Sequence, residues 1–274
     1  MSVRRHKGIS RIYLAIVMLF LYLPILVLIV FSFNQNKSRG AWTGFTLDWY
    51  KKLFTNQVIL SAFANTLIVA LVSSVAATVI GTAAAIGINS MNKWMKKSIR
   101  TLTYIPIMSP EIIMGVSLMM LFVFARTKIG IPLEMGLLTL ILAHITFNIP
   151  YVIFNVLPKL RQMDKYAYDA ALDLGCNPFQ AFYKVVIPEI LPGITAGFLM
   201  AVTYSLDDFV ISYFTSGPTS QTLPIAIWGQ LRRRVSPEMN ALSTIIFVVV
   251  LAVLLIGNLS AARKEQRDRK AVRL

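Results

Sequence analysis

The chain has 274 residues, 56% of them hydrophobic, with a mean hydropathy of +0.66 and a formal charge of +15. That is too apolar for a soluble domain of this length, and the apolar residues gather into runs near the ~20 residues that a bilayer-crossing helix needs. A closed barrel would be built from short alternating segments, which are absent, so an all-α polytopic membrane protein is expected.

Six runs predict spans, at roughly 12–33, 63–88, 101–125, 136–157, 190–215 and 240–260. The first is longer than a signal-peptide core, and Ser32-Phe33-Asn34 behind it is a poor cleavage site, so it reads as a retained span. The connection 34–62 follows. Within it, the apolar residues of 45–54 have helical spacing, and Trp49 and Tyr50 suit an anchor at the outer interface.

The second run places Ser73, Ala77, Gly81 and Ala85 four apart, a stripe of small residues that lets helices approach closely. The third contains Pro106 and Pro110, which predict kinks, with Glu111 at the second. The fourth carries His144, expected to bond a neighbouring helix rather than a metal. The connection 158–189 reads as two short helices with a turn at Gly175, the second restarting at Asn177-Pro178 and ending at Pro188. Its Cys176 is the one cysteine of the chain, so no internal disulfide is possible.

Eighteen of the 27 lysines and arginines fall in segments on the side of the N-terminus and nine on the other side. The bias predicts both termini in the cytoplasm, with 34–62 and 216–239 outside. Because the basic residues follow the helix ends instead of one face, the charge does not point to nucleic acid.

Asp207 and Asp208 lie within the fifth run. An acid at a helix centre costs about 3 kcal/mol on insertion scales, so it faces a cavity or a partner. On an unbroken helix, Asp208 would share a stripe with Ser205, Tyr204 and Ser212. Three readings stand at this point: acids of a substrate path, acids of a structural or subunit contact, and a proton relay. An ammonium substrate would be held by such carboxylates and by aromatic faces such as Tyr204. The chain has no GxxxxGK[ST] phosphate loop and no HExxH, CxxC or GxSxG motif, so neither ATP hydrolysis nor these catalytic chemistries are expected of it.

The run Asp169-Ala170-Ala171-Leu172-Asp173-Leu174-Gly175, with Ile187-Pro188 behind it, resembles the EAA loop of binding-protein-dependent ABC importer permeases. Asp169 stands where that family usually has Glu. Met108-Ser109-Pro110-Glu111, Ser205-Leu206-Asp207-Asp208 and Gly217-Pro218 extend the resemblance over nearly the whole chain. It is closest to second permease subunits of spermidine/putrescine importers.

The resemblance implies a single permease domain over 1–274 in the bacterial plasma membrane, with six transmembrane helices in the type I ABC importer permease fold and 158–189 as the coupling loop. It implies a sister permease subunit, two ATP-binding subunits that use the ATP, an extracytoplasmic solute-binding protein and a small cationic substrate. This chain would bind no cofactor. Asp169, Ala170, Ala171, Gly175 and Pro188 would couple to the ATPase. Asp207, Asp208, Ser205, Glu111, Tyr204 and Trp49 would serve the substrate path. A permease for another small solute, a self-contained proton-coupled cation transporter and a membrane scaffold without transport are the alternatives.

Overall fold

A computed structural model describes residues 3–36, 41–164, 166–233, 237–248 and 251. The described residues within Val58–Trp228 form one compact unit, and those within Met1–Gln57 and Gly229–Leu274 form another. Among the described residues, five helices are long and apolar enough to cross a membrane: Arg11–Ser32, Gln57–Ser90, Glu111–Ile129, Leu137–Gln162 and Pro178–Asp207. Residues 237–248 are helical, and the rest of the sixth expected run, except 251, lies outside the described residues, as does the basic stretch 263–273.

In the unit that contains the N-terminal segment, α1 (Val3–Ser32) leads into a connection closed by an antiparallel bridge between Asn34 and Phe45. The short α2 (Asp48–Thr55) follows, close to the expected bounds. Its Trp49 is not a surface anchor. The indole is 6% exposed, and its N–H donates to the Asn34 carbonyl at 2.8 Å. The polar ring edge is thereby satisfied inside the protein, which removes the reason for it to seek the headgroup layer.

The second unit is built on three long helices, α3 (Gln57–Ser90), α6 (Leu137–Gln162) and α9 (Ile187–Asp207). Their core joins Ala85 and Ile88 of α3, Val152, Val156 and Leu160 of α6, and Ile190 and Ala201 of α9. The small-residue stripe works as packing: Ser73, Ala77, Gly81 and Ala85 are all buried. A Cβ on Gly81 would lie 2.7 Å from Val152 Cβ. Gly193 of α9 sits equally close to α6, where a Cβ would meet the Asn155 carbonyl oxygen at 2.8 Å.

Two expected spans are broken rather than kinked. The third run divides into α4 (Lys93–Met108) and α5 (Glu111–Phe124), which continues through a wider turn to Ile129. The residue before a proline avoids the helical region. Ser109 accordingly has ψ 142°, and the chain restarts at Glu111 in the first turn of α5. Pro106, by contrast, stays inside α4. The fifth run breaks at Asp208, whose ψ of 121° ends α9, and resumes as α10 (Val210–Thr215). The expected stripe of Tyr204, Ser205, Asp208 and Ser212 therefore does not form, because no single helix carries all four.

The connection 158–189 contains α7 (Ala167–Asp173), a turn at Gly175 and α8 (Pro178–Ala181). Asn177 caps α8, its Oδ1 accepting the Gln180 N–H at 2.8 Å while Gln180 Oε1 accepts the Asn177 N–H at 3.2 Å. Pro188 does not end this piece. A wider turn over Phe182–Val186 carries α8 into α9, so the helix is continuous from Pro178 to Asp207. A proline near the start of a helical stretch lacks only one N–H, and the wider turn absorbs that loss. The start of α11 (Leu223–Arg233) is held to α3 by the Leu223 N–H donating to Thr66 Oγ1 at 2.7 Å.

Replacing Gly193 by valine forces backbone apart at the α6–α9 contact. We expect a loss of about 1–3 kcal/mol, typical of overpacking, seen as a lower thermal-unfolding midpoint of the purified protein. An unchanged midpoint would show that the contact yields.

Candidate functional site

In the second unit, the two helix breaks face a common cavity of about 370 Å³. Ser109 and Glu111 come from the α4–α5 break, Phe147 and Tyr151 from α6, and Tyr204, Asp207 and Asp208 from the end of α9. Pro106, Ile107, Met114, Phe209, Val210 and Ile211 complete the wall. Three carboxylates thus line one space whose wall holds no lysine or arginine. The Tyr151 and Tyr204 rings lie 4.4 Å apart between centroids and tilted by 38°, a pair of faces beside the acids.

Behind this wall lies a buried polar cluster. Asn148 Nδ2 donates to Ser205 Oγ at 2.8 Å, and Ser73 Oγ is 3.3 Å from the same oxygen. All three residues are buried, halfway along their helices or near the α9 end. The cluster ties α3, α6 and α9 together by side-chain hydrogen bonds. His144 bonds a neighbouring helix as its isolation in the sequence suggested, its Nε2 lying 3.0 Å from Ser212 Oγ.

The loop offers a different surface. Asp169 and Ala170 are exposed, whereas Ala171 is buried. Leu174 is 86% exposed and Phe179 77% exposed, which is unusual for large apolar side chains that are not in lipid. Gly175 has φ +89°, in the left-handed region that other residues enter at a cost. The turn is locked by the Cys176 N–H donating to the Ala171 carbonyl at 3.0 Å.

A family model described as the binding-protein-dependent transport system inner membrane component matches residues 77–270. The putrescine transport system permease protein PotI of Escherichia coli K12 is 37% identical over 236 residues, covering 86% of this chain and 84% of that protein. The spermidine/putrescine transport system permease protein PotC of Haemophilus influenzae is 35% identical over 247 residues, covering 90% and 94%. A solved bacterial alginate ABC transporter, in complex with an alginate pentasaccharide-bound periplasmic protein, has a chain of the same fold, with a TM-score of 0.71, 93% of each chain covered and 17% identity.

The chain belongs to the binding-protein-dependent inner-membrane permeases.

It is therefore a multi-pass inner-membrane permease subunit of an ABC importer, a transport component and not an enzyme. Membership makes it one part of a larger system that includes a binding protein. Among the described residues, no group of three or more His, Cys, Asp or Glu side chains is placed to hold a metal ion.

Of the residues singled out in the sequence, Glu111, Tyr204, Asp207 and Asp208 come together at the cavity, and Ser205 lies behind its wall. Trp49 belongs to the other unit, where Lys52 Nζ stands 4.8 Å over its ring. Asp169 to Gly175 form a separate surface on the loop, and Pro188 is inside a continuous helix. Sequence reasoning missed Tyr151, Phe147 and Asn148. The signal was there: residues 144, 148 and 151 share one face of α6 at spacings of four and three, an unusual polar run inside an apolar span.

Replacing Trp49 by phenylalanine leaves the Asn34 carbonyl without the indole N–H. The expected cost is about 1–3 kcal/mol, to be measured as a fall in the unfolding midpoint of the purified protein; no fall would mean that water replaces the bond.

Proposed function

We propose that this permease imports polyamines, putrescine or spermidine, as small cations that pass the cavity at the two helix breaks. The observation that carries the reading is the cavity wall itself: the open carboxylates of Glu111 and Asp207 with Tyr151 and Tyr204, and no basic side chain. A primary ammonium is bound by carboxylates through charge-assisted hydrogen bonds and attracted by aromatic faces. The names of the similar PotI and PotC proteins support the same substrate class. Asp207 and Glu111, both exposed to the cavity, are the best placed to meet the cation, with Tyr204 as an aromatic wall. Ser205 serves the path by holding that wall, and Trp49 by keeping the shape of the outer connection.

In this reading the chain is one permease domain of six transmembrane helices in the type I fold, the sixth being 240–260, with both termini cytoplasmic. It pairs with a sister permease, and two ATP-binding subunits dock on 158–189. Asp169, Ala170 and the exposed Leu174 and Phe179 form the contact. Ala171 and Gly175 set its shape, and Pro188 marks where the loop joins the long helix. ATP binding closes the two ATPases, moves the loops and opens the cavity outward. An extracytoplasmic binding protein then releases its cation toward the acids.

The test is uptake of radiolabelled putrescine by cells that express the whole transporter. Asp207→Asn keeps the size of the side chain and removes its charge. Loss of one charge-assisted contact should weaken the interaction about ten- to hundred-fold, with assembly of the complex intact. Uptake at the wild-type rate would remove the cation assignment.

The loop is tested by Gly175→Val. A β-branched residue in the left-handed region costs about 1–2 kcal/mol, so the turn should rearrange. We expect uptake and ATPase co-purification to fall together while the chain stays in the membrane. Both remaining normal would place energy coupling elsewhere.

A further inference from the structure

The two adjacent acids have different surroundings. Asp207 ends α9 with its side chain open to the cavity. The Asp208 side chain is 6% exposed. Its Oδ1 accepts the Ile211 N–H at 3.2 Å, and its Oδ2 accepts the Ser212 N–H at 2.7 Å. His144 Nε2 lies 3.5 Å from the same Oδ2, and the imidazole is fully buried. The first N–H groups of a helix have no backbone acceptor. Where α10 begins, Asp208 supplies it, which is the work of an N-cap.

Both sides of this break are anchored to α6. On the α9 side, Ser205 is held by Asn148 at 2.8 Å. On the α10 side, Ser212 is held by His144, and Thr139 Oγ1 donates to the Thr215 carbonyl at 2.7 Å. Asp207 stands at the edge of the joint between these two fixed points. If the cap is lost, α10 loses its start and the joint can turn, carrying Asp207 with it.

We propose that Asp208, together with His144 and Ser212, is a positioning unit that fixes the helix break so that Asp207 faces the cavity, and that the Asp208 carboxylate is not itself a ligand of the transported cation. The proposal rests on reading the cavity as the cation path.

A cation ligand acts through its charge, whereas a cap acts through its acceptor oxygen. Asparagine caps a helix about as well as aspartate, while alanine does not; here asparagine keeps one acceptor oxygen, enough for the short bond from the Ser212 N–H at the cost of the longer one from Ile211. The two positions should therefore respond differently to the same pair of substitutions. Initial rates of putrescine uptake, measured over a range of concentrations in cells with the whole transporter, separate them. Asp207→Asn and Asp207→Ala should both raise KM, by about tenfold or more. Asp208→Asn should leave KM within about twofold of wild type, while Asp208→Ala should lower the maximal rate about tenfold, the size of a lost cap. Asp208→Asn raising KM as far as Asp207→Asn would overturn the proposal.

A second readout needs no substrate. In a Cys176→Ser background, Asp207→Cys is labelled with a small thiol reagent in the membrane-embedded complex. The labelling rate should be unchanged by Asp208→Asn and altered about threefold or more by Asp208→Ala, as the joint turns. Equal labelling in all three backgrounds overturns the proposal. If the wild-type complex takes up no putrescine, the polyamine reading fails alone, and the labelling still decides the positioning role.

Discussion

A helix that stops inside a bilayer leaves as many as four N–H groups or four carbonyls with nothing to bond, and lipid offers no substitute. Among the described residues a helix stops in mid-run twice, at Ser109–Pro110 and at Asp207–Asp208, and the surrounding side chains of the second unit make those stops tolerable. At the first, Ser109 turns its own N–H and hydroxyl back to the Ile105 carbonyl, at 3.0 and 2.8 Å. At the second, a buried carboxylate takes up the free N–H groups of the next helix. Both breaks open onto the same cavity, which is where irregular backbone is permitted inside a membrane protein.

Polar side chains deep in an apolar unit demand partners, and here the partners double as fasteners. Ser73, Asn148 and Ser205 are joined across three helices through the Ser205 hydroxyl, and close approach is possible because small residues line α3. The hydrogen bonds need the packing, and the packing is sited by the hydrogen bonds. The rigid floor that results lies directly behind the acids, so the cavity is shaped by helices that have little freedom to shift.

Much of this was legible beforehand. Helix length and hydropathy gave the end of α1, the end of α3 and the start of α6 within two residues, the opposite ends running further than expected, and spacing gave the packing face of α3. The acids at 111, 207 and 208 stood out because charge inside an apolar run is costly. What periodicity could not give was the two breaks. Pro110 read as a kink, because a proline inside a helix and a proline that stops one look alike until the residue before it is seen in extended backbone. Asp208 read as one more position on a helical stripe, because a cap is recognised only when the helix it caps is known to begin there. Pro188 misled in the opposite direction: it looked like an end and sits in a continuous helix, since a single wider turn upstream absorbs its missing N–H. Tyr151 escaped because its neighbours in space, Tyr204 and Glu111, are far away in sequence.

The absence of a stop at Pro188 has a mechanical consequence. From Pro178 to Asp207 the chain is one rod of 30 residues, about 45 Å long at the helical rise. One end is the loop surface with its exposed Phe179, and the other is the edge of the cavity. A tilt of about ten degrees applied to such a rod swings its far end by about 8 Å at that length. An acid at its tip would change its facing without any local unfolding, and the departures from regular helix along the way, the wide turn at Phe182–Val186 and Pro192, lie in the half nearer the loop.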